Sequence, residues 1–175
     1  MNFKHTFILL FSTAYMFFGL PKQIKKKVDK EIVEVFQIND FQFQAKLIDS
    51  KIAISLPATF GPDNFFEIKQ SDTLIGYAYI SKAPSKTDQF DYLILLDNNL
   101  TILKAKVLVY REDYGGEIGS KRWLKQFIGK TQNDELKYQY NVVAISGATI
   151  SVRSMTTAVN DLLQSLKTLH SKHIL

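Results

Sequence analysis

Apolar residues recur with helical spacing in two parts of the chain. Between residues 24 and 36 lysine and glutamate separate the apolar positions, which are Ile24, Val28, Ile32 and Val35. This spacing predicts an amphipathic helix that packs on a sheet. A second helix is predicted from Ser151 onward, because one helical face collects Val152, Met155, Val159, Leu162, Leu163 and Leu166.

Three stretches between these helices have the pattern of β-strands. Side chains alternate along residues 74–83 and 100–110, while residues 90–96 are almost entirely apolar or aromatic. Asp97-Asn98-Asn99 separates the last two stretches, and such residues tolerate the backbone of a tight turn. We therefore predict an α+β fold, an antiparallel sheet meander with packed helices, as a single domain after an N-terminal apolar segment.

Residues 6–20 form an almost uninterrupted apolar run. The run is shorter than the ~20 residues that span a bilayer comfortably, so it is typical of a signal peptide or a signal anchor. Bulky residues before Pro21 make a poor cleavage site, which favours an uncleaved anchor. The predicted organisation is a leader in residues 1–21, an amphipathic helix and lead-in in residues 22–73, and the main domain in residues 74–170.

The chain is basic, with a formal net charge of +5, and lysines cluster directly after the apolar run in residues 22–30. Such a cluster is typical of a patch beside a membrane rather than of a nucleic-acid footprint. We therefore predict membrane association and no nucleic-acid partner. The same lysines favour a cytoplasmic domain by the positive-inside tendency. A peripheral binder of anionic lipid is an open alternative.

The chain has no cysteine, which excludes disulfides, thiolate metal sites and cysteine nucleophiles. Its histidines lie in the N-terminal segment and in the C-terminal tail, at His5, His170 and His173. None has a partner suited to a zinc site, so the sequence predicts no metal site. The sequence also predicts no catalytic residue within the chain.

Small residues open the second predicted helix, in the stretch Ser146-Gly147-Ala148-Thr149-Ile150-Ser151. A helix N-terminus offers free N–H groups and the positive end of the helix dipole, so it favours a phosphate. Gly147 permits close approach of a ligand, Thr149 presents a hydroxyl, and Arg153 adds a positive charge. The same residues are also typical of an ordinary helix cap, for which Ser and Thr are favoured.

This stretch resembles the flavinylation motif of the FMN-binding domain family. That family includes the FMN-carrying subunits of the sodium-pumping quinone reductase and of Rnf-type electron-transport complexes. A second stretch resembles the family's glutamate- and glycine-containing loop and its downstream W…F pair. It reads Glu112-Asp113-Tyr114-Gly115-Gly116-Glu117-Ile118-Gly119, then Trp123 and Phe127. Together the resemblance covers residues 74–166.

The resemblance implies that Thr149 carries FMN covalently through a phosphoester. A magnesium-dependent flavin transferase that uses FAD as donor would attach it. Ser146, Gly147 and Ala148 complete the motif, and Ser151 and Arg153 are implied neighbours of the phosphate. The implied contacts of the ring or ribityl chain are Glu112, Tyr114, Gly115 and Gly116.

The resemblance further implies an exported protein at the cell membrane, with its domain on the exocytoplasmic (periplasmic) side. Its role would be electron transfer with redox partner proteins or a quinone-linked membrane complex, rather than catalysis as a stand-alone enzyme. Three features depart from the family pattern. Val143 replaces an acid before the motif, Tyr110 replaces a histidine before the loop glutamate, and residues 113–119 do not align with the family's T-P-G-L-G run. Val143 leaves open a flavin-free binding module for a peptide or protein partner at the membrane.

Overall fold

The structure, a computed structural model, describes residues 19–175. The predicted apolar leader lies almost entirely outside these residues, so it stays a prediction. Within residues 19–175, no helix combines the length and the apolar character that a bilayer crossing requires. The first described helix, α1, runs Lys22–Phe36 and confirms the predicted amphipathic helix.

Five strands form one antiparallel sheet in the order β1-β2-β3-β4-β5, so every strand pairs with its neighbour along the chain. This arrangement confirms the predicted α+β meander in a single domain. The strands are β1 Gln42–Ala45, β2 Phe65–Gln70, β3 Thr73–Pro84, β4 Gln89–Asp97 and β5 Ile102–Val109. The remaining helices are α2 Ser50–Ala53, α3 Lys121–Leu124 and α4 Thr149–Ser171, with 3₁₀ turns at Gly116–Gly119 and Lys125–Phe127.

Helix α1 covers one face of the sheet. Its residues Val28 and Ile32 are fully buried and pack among apolar residues of the central strands, including Leu93 and Leu95. Burial of each such side chain contributes roughly 1.5–3 kcal/mol.

Glu31, on the same helix, is 6% exposed and lies between Lys104 at 3.2 Å and Lys106 at 3.3 Å. These two lysines of β5 compensate a buried carboxylate that would otherwise be costly.

Helix α4 covers the opposite face, so the sheet is enclosed between two helical layers. Side chains of β4 alternate between the layers: Ile94 packs with α4, whereas Leu93 and Leu95 pack with α1. A strand that is buried on both faces reads as continuously apolar, which explains the composition of residues 90–96. The buried face of α4 contains the predicted residues Val152, Met155, Val159, Leu162, Leu163 and Leu166.

The sheet contains two strands, β1 and β2, that the sequence pattern did not predict. Phe65 of β2 faces the α4 layer and the adjacent Phe66 faces the α1 layer, so the strand begins with two neighbouring apolar residues and alternates only after them. Strand β1 is only four residues long and mostly exposed. It is held by cross-strand pairing and by Phe43, whose ring stacks on Phe66 at 4.3 Å between centroids.

Four elements begin or end at the same end of the sheet. Strands β3 and β4 meet there at the pair Pro84 and Gln89. Helix α4 starts there, since the hydroxyl of Ser154 donates to the Pro84 carbonyl. Helix α1 also starts there, since Lys27 Nζ donates to the Leu108 carbonyl at 2.5 Å. Residues 20 and 21, directly before α1, therefore lie at the end of the sheet where α4 presents Thr149.

Candidate functional site

The start of α4 is an uncapped helix N-terminus. Thr149 is its first residue and is exposed, and Ala148 at the cap position supplies no side-chain acceptor. The first turn contains no acidic residue. Among the described residues, nothing accepts a hydrogen bond from the N–H groups of Thr149, Ile150 or Ser151. Free donors at the positive end of a 23-residue helix favour an anion.

The turn before α4 brings its small residues close to solvent. Gly147 has φ +82°, a left-handed conformation that favours glycine, and no heavy atom lies within 4 Å of a Cβ placed there. Ser146 and Gly147 are exposed, whereas Ala148 is 3% exposed and packs in the core. No side chain caps the helix, so the alternative interpretation of the motif as an ordinary cap is wrong.

The glycine-containing loop lies directly against this turn. Gly115 has φ +83°, and a Cβ placed on it would lie 3.6 Å from both Ala148 Cα and the Gly147 carbonyl oxygen. The neighbouring Tyr114 is 85% exposed, and Gly116 faces open space. The tertiary structure therefore brings together two of the stretches that the sequence predicts as one site.

Tyr110 joins the loop to the helix, a role that the sequence analysis missed. Its hydroxyl donates to the Tyr114 carbonyl at 2.9 Å and lies 3.1 Å from Ser151 Oγ. Ser151 is 3% exposed, so its hydroxyl faces Tyr110 inside the domain. The only sequence signal for Tyr110 was its place two residues before Glu112, where the resembled family often has histidine.

Arg153 lies one turn into α4, and its side chain is exposed. Its guanidinium carbon sits 4.9 Å from the centroid of the Tyr138 ring. This stacking holds the positive charge on the outer side of the helix, where an exposed cation–π contact contributes about 0.5–1 kcal/mol. Its predicted role beside a phosphate therefore stays a prediction and requires the side chain to leave Tyr138.

A cleft of about 670 Å³, here called the Trp123 cleft, opens beside the turn that precedes α4. One wall is the segment 143–146 and the other is the helical segment 117–126. The indole N–H of Trp123 donates to the Val143 carbonyl at 2.8 Å, and the Val143 N–H donates to Gln126 Oε1 at 2.7 Å. These two bonds hold the walls at a defined separation.

Residues 86–164 match the FMN-binding domain family. The chain contains an FMN-binding domain. The match runs from the β3–β4 hairpin into α4, so it includes the loop, the turn before α4 and the Trp123 cleft. No curated protein matches the chain.

The FMN-binding domain has features that suit its cofactor. FMN combines a phosphate with a planar, largely apolar isoalloxazine ring. The uncapped start of α4 suits the phosphate, and a cleft of about 670 Å³ beside it is large enough for a ring system. Helix α1 and strands β1, β2 and β3 lie outside the matched residues and complete the sheet and its second covering layer. The flavin-binding role therefore rests on the C-terminal half of the fold.

Glu112 holds the FMN-binding domain's loop to the β3–β4 hairpin. Its Oε1 accepts from Ser85 Oγ at 2.6 Å, from the Thr87 N–H at 2.7 Å and from the Asp88 N–H at 3.1 Å. The hydroxyl of Ser85 and then the Thr87 N–H lower the pKa of Glu112 below its ordinary value. Glu112 is a predicted cofactor contact, and its Oε1 is occupied by the hydrogen bonds that position the loop.

We expect the Glu112 contact to weaken in acid. A carboxyl with a lowered folded-state pKa stabilises the fold above its unfolded pKa of about 4.3, and this contribution is lost as pH falls through the folded pKa. Hydrogen exchange should therefore show that the amides of Thr87 and Asp88 lose protection below about pH 4. In Glu112→Gln the protection should already be lower at pH 7 and change little with acid. Equal pH dependence in both proteins would contradict this role.

Gly115→Ala is expected to destabilise the domain by about 1–2 kcal/mol, because alanine disfavours positive φ. The added Cβ would also lie 2.7 Å from Tyr110 Oη and disturb the hydroxyl that joins loop and helix. Urea unfolding measures the loss. Gly116→Ala is the matched control, because its Cβ meets no heavy atom within 4 Å and its φ is not positive. Equal stability of the two variants would refute the tight fit at Gly115.

Proposed function

We propose that this FMN-binding domain carries FMN covalently on Thr149 and acts as an electron carrier at the outer face of the cytoplasmic membrane. The observation that carries the proposal is the exposed Thr149 hydroxyl at the uncapped start of α4, inside the residues that match the family. A phosphate esterified there would accept hydrogen bonds from the free N–H groups of the first turn.

The proposed attachment is a phosphoryl transfer from FAD that a flavin transferase catalyses. Thr149 Oγ1 forms a bond to the phosphorus of the FMN half, the pyrophosphate P–O bond breaks, and AMP leaves. The threonine proton passes to a base of the transferase, because a hydroxyl needs an adjacent base to become nucleophilic. This step changes no oxidation state. The attached isoalloxazine then supplies the redox chemistry of the carrier.

A covalent bond suits a carrier that works outside the cytoplasm, where a dissociated flavin would diffuse away. The apolar run in residues 6–20 supports a signal anchor, or a signal peptide, before the domain. Because α1 begins at the same end of the sheet as α4, an anchored domain would hold Thr149 at the end from which the anchor leaves. The proposed partners are therefore redox proteins or a quinone-linked complex of the membrane.

The test of attachment is intact mass of the protein produced with a flavin transferase. We expect a gain of one FMN less one water, and peptide mass mapping should locate it on Thr149. A topology reporter fused after Leu175 tests the location, with reporter activity expected on the exocytoplasmic side. Cytoplasmic activity would overturn the export proposal, and it would agree with the lysines in residues 22–30.

The second candidate function is a flavin-free module that binds a peptide or protein at the membrane. Val143 favours it, because this residue replaces the acid of the family pattern and is 68% exposed. Tyr140 nearby is 86% exposed, and exposed apolar groups that lie together are typical of interaction surfaces. Colourless protein without an adduct, after production with an active flavin transferase, would favour this candidate over the first.

A further inference from the structure

The Trp123 cleft has two chemically different sides. The side formed by residues 143–145 is apolar: Val143 and Ala144 are exposed, and Ile145 packs partly on the core. The opposite side is a polar rim of Glu117, Ser120, Arg122 and Gln126. A cleft with an apolar wall and a few polar groups at one edge is typical of a site for a planar ring ligand.

Two charged side chains of this rim are free to meet a ligand. Within residues 19–175, neither Glu117 nor Arg122 takes part in a side-chain hydrogen bond or an ion pair. Gln126, in contrast, is engaged on both ends of its amide, with the Trp123 carbonyl and the Val143 N–H. Glu117 can therefore accept hydrogen bonds from a ligand, and the Arg122 guanidinium can donate several.

The isoalloxazine ring has the same two-sided character. Its dimethylbenzene end is apolar, whereas its pyrimidine end carries carbonyl oxygens, ring nitrogens and one N–H donor. The apolar wall of residues 143–145 suits the dimethylbenzene end. At the pyrimidine end, Arg122 can donate to the carbonyl oxygens and ring nitrogens, and Glu117 can accept from the N–H group.

A second cleft of about 570 Å³, here called the α4 cleft, runs beside the same helix and is the competing site. Lys82, Arg153 and Asp161 give it charged groups along its length, and no aromatic residue lines it. Its hydroxyl from Ser154 already donates to the Pro84 carbonyl. Segment 143–146 leads directly into Gly147 and Thr149. It lines the Trp123 cleft and does not line the α4 cleft.

We propose that the Trp123 cleft is the binding site for the isoalloxazine ring of FMN, with Arg122 and Glu117 at its pyrimidine end. This inference rests on the proposed function and gives ring contacts to Glu117 and Arg122, which the sequence did not predict as cofactor contacts. The ring then lies against segment 143–146, which does not line the α4 cleft. Arg122 places a positive charge near the atoms that become negative when the flavin is reduced.

The single tryptophan gives a direct readout of ring position, because the protein has only one indole N–H signal. In ¹⁵N-labelled protein carrying FMN, that signal should move relative to flavin-free protein, while the backbone amides of Thr157 and Ala158 in the α4 cleft stay in place. The reverse pattern, or no change at either cleft, would overturn the proposal. If no covalent adduct forms, free FMN added to the same protein gives the same readout. Failure of attachment is thus distinguished from failure of the ring site.

Arg122→Met tests the charge. We expect the reduction potential of the attached flavin to become more negative, with about a threefold fall in the ratio of reduced to oxidised flavin at a fixed potential, since an exposed charge acts through partly screening solvent. Lys82→Met, in the α4 cleft, is the matched control and should leave the potential unchanged. Intact mass verifies equal loading of both variants. A shift in Lys82→Met without one in Arg122→Met would assign the ring to the other cleft.

Discussion

The Thr149→Ala protein, produced with a flavin transferase, is expected to fold normally and to carry no covalent FMN. The substitution removes the only atom that forms the proposed ester. It should leave stability within about 0.5 kcal/mol, since the residue is exposed and alanine is a better helix former than threonine. Intact mass and the visible flavin spectrum measure loading, and urea unfolding measures stability.

Two further variants serve as controls for Thr149→Ala. Thr157→Ala removes another exposed threonine of α4 and should retain a full FMN adduct. Thr149→Ser keeps a hydroxyl at the start of the helix and should retain attachment. An undiminished adduct on Thr149→Ala, or loss of the adduct from Thr157→Ala, would place the acceptor elsewhere.

Gly76→Ala is expected to cause the largest loss of stability among small substitutions in the sheet, about 3 kcal/mol. A Cβ at this position of β3 would lie 2.2 Å from the Leu96 carbonyl oxygen and 2.7 Å from Phe36 Cζ. The first contact is with the backbone of β4, which cannot move without disturbing the β3–β4 pairing. The second is with the last residue of α1. Such a loss is a large share of the about 5–15 kcal/mol that stabilises a typical domain.

Equilibrium unfolding in urea, followed by circular dichroism, measures this loss. Gly119→Ala is the control, because its Cβ would make only an ordinary contact with Val107 Cβ at 3.9 Å. We expect that variant to differ from the original protein by no more than about 0.5 kcal/mol. A loss of under about 1 kcal/mol in Gly76→Ala would mean that β3 and β4 separate easily to admit the methyl group.

The two long helices were predictable because each buries one face at helical spacing. Residues 24–36 and the stretch from Ser151 repeat apolar side chains every three to four residues, and both positions are helical, as α1 and α4. The turn Asp97-Asn98-Asn99 was predictable from local chemistry. Asp97 Oδ1 accepts from the Asn99 and Thr101 N–H groups, and the following Leu100 has φ +64°.

Strands β1 and β2 could not be predicted because their stability comes from neighbours distant along the chain. Phe43 is fixed by a ring on the next strand, and Phe65 and Phe66 are buried on opposite faces by two different helical layers. No local period records such contacts. For the same reason the sequence located Glu112 in the loop but could not show that it accepts hydrogen bonds from the β3–β4 hairpin.

The sequence by itself determined the FMN-binding domain, the two covering helices, three of the five strands and the threonine that begins α4. These depend on short stretches of residues and on periodicities within them. Only the tertiary structure decided that Gly115 meets the turn at Gly147, that Tyr110 faces Ser151, and that a cleft lined by Trp123 opens beside the turn before α4. These contacts join residues that are more than 15 positions apart, so they form only when the sheet brings its loops to one end.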